Sequence, residues 1–188
     1  MTVITHPLIN SLRCLKTDNI CGTDTWEINN PCMCEPCQEY LQRKRVIEEA
    51  YTWIGTGFHH QGNVKGVGVD CAQFLLQVYY AAGILESLPK LEHYSADWHI
   101  HKDEERYLKT MLQFPTIEIL NKPQFGDIAI FKFARTFSHS AIVIDWPTCI
   151  HAYVGRRVEV IDITKDSQFI NRSIRFFTCK NWRGSFSI

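Results

Sequence analysis

The sequence predicts an α+β domain, with helices in its first part and an antiparallel sheet in its second. Two periodicities carry this. Between residues 46 and 114 apolar side chains recur at the three-to-four spacing of helices, and from residue 127 onward they alternate with polar ones. The third observation is compositional. With 188 residues, 45% hydrophobic and 12% aromatic, the chain can bury one real core and is too apolar to stay disordered.

Residues 1–37 show little periodicity and hold turn-forming stretches such as INNPCMCEPC, so they read as an irregular, cysteine-rich arm preceding a domain at 38–188. From Pro36 the pattern changes: Val46, Ile47, Ala50, Tyr51 and Ile54 mark a first helix that Gly55 stops. A glycine-punctuated loop, GTGFHHQGNVKGVG, leads to Asp70. A second helix follows, with Phe74, Leu75, Val78, Tyr79 and Ala82 on one face and Gly83 past its end. Residues 84–102 read as a loop in which Trp98, His99 and His101 form either a lid or, the favoured reading, a packed aromatic cluster. A third helix is expected over 103–114, closed by Pro115. Strands are expected at 127–133, 138–145, 149–154, 156–162 and 173–177, joined as a meander.

Lysine plus arginine and aspartate plus glutamate each number 20, so the net charge is zero. No global field draws the chain to nucleic acid. No apolar run is long enough for a membrane span and the start lacks a signal-peptide pattern, so folding in a reducing cytoplasm is expected. Eight cysteines then need a role other than disulfides.

Cys71 lies just behind Asp70 and at the start of the second helix. A nucleophilic cysteine needs a depressed pKa, a general base and a group orienting that base. The helix N-terminus favours a thiolate. His139 opens one strand and His151 lies twelve residues on in the next, a separation that antiparallel neighbours bring side by side. Cys71 as nucleophile, His139 as base and His151 as orienter is the expected constellation. Alone, each residue reads as an ordinary buried or satisfied side chain; order and spacing together raise them. Asp70 is expected to cap the helix, and Gly126 with Asp127 to form a turn and strand start. His59 and His60 are either solvated loop residues or substrate-lining ones.

The stretches AYTWIGTGFHHQGNVKGVGVDCAQFLLQVYYAAGI, GDIAIFKF, SHSAIVI and CIHAY resemble the NlpC family of papain-like cell-wall cysteine peptidases over roughly residues 44–160. The resemblance implies a papain-like domain, helices packed on an antiparallel sheet or half-barrel, and assigns Cys71, His139 and His151 the three catalytic roles. It implies peptidoglycan stem peptides as substrate, cut at a D-glutamyl–diamino-acid amide, and no catalytic cofactor. HHQGNVKGVGVDC, DWHIHKDEERYL and FSHSAIVIDWP further resemble the phage and prophage tail-associated, gene-transfer-agent-like subgroup. That implies other tail-tip proteins as partners, synthesis in the bacterial cytoplasm, incorporation into the tail and action at the host wall. Two positions depart from the pattern: Phe58 stands where the family has a tyrosine, and Gln73 where it has a small residue. The alternative is therefore a weakly active or inactive structural tail-tip protein on the same fold.

Cys21, Cys32, Cys34 and Cys37, at C-x10-C-x-C-x2-C spacing, form a second constellation outside the resemblance. Four thiolates in an irregular segment can close a tetrahedral zinc site, and an iron–sulfur cluster uses the same ligands. Incidental free thiols are the other reading, with Cys14 a substitute ligand.

Overall fold

A computed structural model describes residues 35–91, 106–180 and 182. Its elements run α1 (Glu35–Tyr51), β1 (Asn63–Val64), β2 (Gly68–Val69), α2 (Cys71–Ala81), α3 (Arg106–Gln113), β3 (Thr116–Ile119), β4 (Ile128–Phe133), β5 (Thr136–Asp145), β6 (Thr148–His151), β7 (Glu159–Asp162) and β8 (Ile174–Cys179). The expected α+β class is present: among the described residues, three helices lie on one face of a six-stranded antiparallel sheet.

Helix α2 shows how sequence sets its bounds. Asp70, in extended conformation, caps it by accepting the Gln73 N–H through Oδ1 at 2.9 Å. Gly83 takes φ +74°, a left-handed value that favours glycine. The Ile84 N–H then reaches the Tyr79 carbonyl and the Gly83 N–H the Tyr80 carbonyl, both at 2.9 Å. Between these stops Phe74, Leu75, Val78 and Tyr79 are buried against Ile128, Ile130, Ile142, Ile144 and Ile150 of the sheet, with Val46 and Ala50 of α1. Each such side chain contributes roughly 1.5–3 kcal/mol. Alternate residues of the same strands, Ala129, Phe131, Ala141, Val143 and Cys149, build a second core on the opposite face with Ile161, Ile163 and Phe169.

The sheet order β3-β8-β4-β5-β6-β7 corrects the expected simple meander. Strands β4 to β7 do follow one another, but β8 returns to pair with β4 and with β3, a short strand after Pro115 that periodicity did not reveal. Its four residues, Thr-Ile-Glu-Ile, are too few to establish a period. The expected strands at 149–154 and 156–162 shorten to β6 and β7, because residues 156–158 pair instead with the loop before α2. Gly55 and Phe58 donate to the carbonyls of Val158 and Arg156 at 2.9 and 3.1 Å, and Val158 donates to Thr56 at 2.7 Å. That loop also carries the β1–β2 hairpin. Here a Cβ on Gly68 would lie 2.6 Å from the His59 Cβ, so only glycine fits.

Arg43 ties α1 to the sheet. Its Nη1 donates to Asp127 Oδ1 at 2.7 Å and to the Phe125 carbonyl at 2.9 Å, while Nη2 donates to Thr178 at 3.1 Å and the guanidinium lies 4.3 Å from the Trp182 ring centre. Asp127 is buried, and its other oxygen accepts the Gln124 N–H at 2.8 Å, the turn cap expected of it. Removing the cation leaves a buried, uncompensated carboxylate. Arg43→Met is therefore expected to lower unfolding free energy by about 3–5 kcal/mol in urea titration; a change under about 1 kcal/mol would show that the pair is incidental.

Candidate active site

Strand β5 positions the site. Its Val143 donates to and accepts from the β4 side, through Asp127 and Gly126, both at 2.8 Å, so its even-numbered neighbours direct their N–H groups toward β6. Ile142 is paired with Ile150 there, and continuation of that register would set Ser140 opposite residue 152. Strand β6, however, ends at His151. The Ser140 N–H thus meets no strand, and the Cys71 sulfur takes it up. Cys71 is the first residue of α2, as expected. Its carbonyl accepts from Ser140 Oγ at 3.2 Å, and the Ala72 N–H and the Tyr107 hydroxyl also lie against its sulfur.

One residue back along β5, His139 faces the second core. Its Nε2 lies 3.0 Å from His151 Nδ1, so the two histidines are brought together as their spacing implied. A bulge at Ser138 interrupts the β4–β5 register beside His139, the kind of irregularity that re-aims a side chain. Phe131, Phe133, Tyr153 and Phe169 surround the ring with centroids 5.2–6.0 Å away. His151 is fully buried, stacked on Tyr153 at 15° and 5.8 Å. With Nε2 engaged, Nδ1 is the His139 nitrogen not turned to His151. The structure hydrogen-bonds the thiol to the residue next to His139 rather than to its ring.

The electrostatics depart from a preformed ion pair. Burial and then the Asp70 carboxylate push the Cys71 thiol up to about 12, against the opposing pull of the Ser140 N–H, the Tyr107 hydroxyl and the Ala72 N–H. The expected depression is thus overturned. Asp70 accounts for part of the reversal: it spends the positive end of α2 on its own carboxylate, with Oδ2 accepting the Gln61 N–H at 2.8 Å. Burial, the neighbouring His151 and Arg172 hold His139 well below the ordinary imidazole range. Burial, then Arg156, lowers His151 to about 4, with Asp166 opposing. Thiol and imidazoles are thus all neutral at rest.

Several neighbours escaped the sequence reading. Tyr107 and Ser140, hydrogen-bonded to each other, touch Cys71. The only signal for Tyr107 was its place on a short amphipathic helix, and Ser140 merely follows His139. Glu159 and Arg156 approach His151 from β7 and its preceding loop. Of the other candidates, Phe58 is half-buried against the core. His59 is exposed, its Nδ1 3.0 Å from the His60 carbonyl, and His60 Nδ1 stands 4.0 Å from Asp70. Gln73 contributes its backbone N–H to the cap. Cys14, Cys21, Cys32, Cys34, Trp98, His99, His101 and the Cys37 side chain lie outside the described residues. Among those described, no cluster of three or more metal-ligating side chains occurs, and no helix is long and apolar enough to cross a membrane.

Two measurements check this charge state. Iodoacetamide modification of Cys71, followed by peptide mass, should accelerate with pH through about 9, since the thiolate reacts; a plateau at about pH 5–6 would reveal a preformed thiolate. Folding should respond as well. A histidine depressed on folding binds its proton more readily in the unfolded chain. Its contribution is full above the unfolded value of 6.5 and is lost as pH falls through about 4. For His151 this amounts to on the order of 3 kcal/mol, His139 acting in the same direction. Urea midpoints should fall over that window and flatten in a His139→Gln, His151→Gln double variant; a flat wild-type profile would contradict buried neutral imidazoles.

No protein-family model matches the chain, and no curated protein does. Among solved structures it is similar to the NlpC/p60 domain of peptidoglycan hydrolase SagA, at 19% identity and TM-score 0.46, over 71% of this chain and 96% of that one. It is similar to NlpC1 from Trichomonas vaginalis at 17% identity and TM-score 0.49, over 73% of this chain. It is also similar to RipD from Mycobacterium tuberculosis, described as a non-catalytic NlpC/p60 domain protein adapted to peptidoglycan binding. That match has 15% identity and TM-score 0.45, over 73% of this chain and 96% of that one. The chain spans 43% of the Trichomonas protein's length.

Proposed function

We propose that the protein is a cysteine peptidase of the NlpC type that hydrolyses a stem-peptide amide of bacterial peptidoglycan. The observation that carries this is the His139–His151 pair, 3.0 Å apart, at the point where β6 ends and the Cys71 thiol occupies the vacated edge of β5. A helix-borne thiol beside paired imidazoles is the equipment of acyl transfer. Because thiol and imidazole rest neutral, His139 Nδ1 takes the thiol proton as sulfur attacks the amide carbon. The same proton then goes to the departing amine, leaving a thioester on Cys71. Water, deprotonated by His139, cleaves that thioester and returns the proton to sulfur. His151 holds the imidazole in register. Arg172, half-buried over the Phe133 ring at 3.6 Å and close enough to bear on His139, offers a cation to a substrate carboxylate. Stem peptides carry such groups, which suits the D-glutamyl–diamino-acid link.

A tail-associated setting, with other tail-tip proteins as partners and the host wall as the place of action, follows from the motifs around Cys71 and His139. Within it the arm's Cys21, Cys32, Cys34 and Cys37 would hold a structural zinc, or less readily an iron–sulfur cluster, for docking. The second reading, a wall-binding or tail-tip protein without catalysis, is favoured by one observation: burial and Asp70 keep the thiol protonated, and Phe58 provides no hydroxyl.

Mass spectrometry of purified peptidoglycan separates the two. Wild type should release fragments ending at a stem-peptide amide, and Cys71→Ala none, a loss of at least about 10²-fold. Equal release by both overturns the cysteine mechanism. Release by neither, with retention on the sacculus, selects the binding protein.

A further inference from the structure

We propose that Glu159 is a positioning residue that sets the protonation pattern of the His139–His151 pair; for catalysis this rests on the function proposed above. The two rings meet through His139 Nε2 and His151 Nδ1, so a single proton lies between them and two arrangements exist. In one, His139 carries hydrogen on Nε2 and donates to His151. Its Nδ1 is then a free base, and the His151 proton lies on Nε2. In the other, His151 donates from Nδ1, and His139 presents a hydrogen at Nδ1 and cannot act as a base there. The first arrangement places a donor on His151 Nε2, an atom that is buried and has no hydrogen-bond partner among the described residues. A buried polar group left so is unfavourable by roughly 1–3 kcal/mol.

Glu159 stands at that atom. It is the register partner of His151 across β6 and β7, and its Oε1 is 3.8 Å from Nε2. The distance is about 1 Å beyond a hydrogen bond, within the reach of a half-exposed side chain on an edge strand. A carboxylate only accepts, so it selects the arrangement with the His151 proton on Nε2, the one in which His139 is a base. The same oxygen is held by Arg156 Nη1 at 3.2 Å, and that nitrogen also meets Asp166 Oδ2 at 2.5 Å. Asp166 thereby competes for the cation and keeps the Glu159 oxygen available. Among the described residues, the charged and titratable groups facing the pair are Glu159 on β7, Arg156 and Tyr153 before it, and Asp166 and Arg172 after it.

The test uses Glu159→Gln and Glu159→Ala in the full chain. Imidazole 15N–1H correlation spectra read the tautomers without any assay of activity. Wild type and Glu159→Gln, which retains an accepting oxygen, should both show His151 and His139 protonated on Nε2; Glu159→Ala should move the pair toward Nδ1. On peptidoglycan, Glu159→Ala should lower kcat by about tenfold with KM within about twofold. Glu159→Gln should keep the kcat plateau while its acid limb moves to lower pH, since the lost negative charge no longer favours the protonated pair. Nδ1 protonation in wild type, or a tautomer unchanged in Glu159→Ala, overturns the proposal. So does a kcat loss in both variants with an unmoved pH profile, which indicates only damaged structure. If the tautomer responds while wild type itself cleaves nothing, the assigned role of Glu159 stands and the peptidase assignment falls.

Discussion

The pleat of β5 is the constraint on which the rest of the site depends. Successive residues of a strand point to opposite faces, so Ser140 looks toward α2 and α3 while His139 looks into the second core. Cys71 meets Ser140 where β6 stops at His151 and leaves the Ser140 N–H without a strand partner. Helix α2 and the two histidine strands thus meet at the end of a ladder, where backbone groups are available and a bulge at Ser138 bends the chain.

Around that point each core serves a different purpose. The helix-side core fixes where α2 begins, through Phe74, Leu75, Val78 and the isoleucines of β4 and β5. The opposite core encloses the imidazoles in phenylalanine rings and keeps them neutral. That neutrality weakens folding in acid. The Arg43–Asp127 pair ties α1 and the turn before β4 into the same frame from a distance.

The acidic residue ahead of Cys71 illustrates a conflict between stability and reactivity. Asp70 satisfies donors of the first turn of α2 and of the preceding loop through both its oxygens. The same negative charge raises the thiol it adjoins. Exposure to substrate and displacement of the Tyr107 hydroxyl are the events that would shift this balance, because both alter the solvation of the sulfur.

By itself the sequence determined the α+β class, the start of α2 at Cys71, its stop at Gly83, the capping role of Asp70 and the adjacency of His139 and His151. These follow from local periods, turn residues and the two-residue repeat of neighbouring strands, all encoded within a few residues of one another. Tertiary structure alone decided the return of β8 between β3 and β4, the approach of Tyr107 and Glu159 to the site, and the direction of the thiol's shift. Those depend on which surfaces become buried together and which charges remain when water is removed. Such sums run over residues distant in the chain, such as Cys71 and Tyr107 or Arg43 and Asp127, and no local pattern reports them.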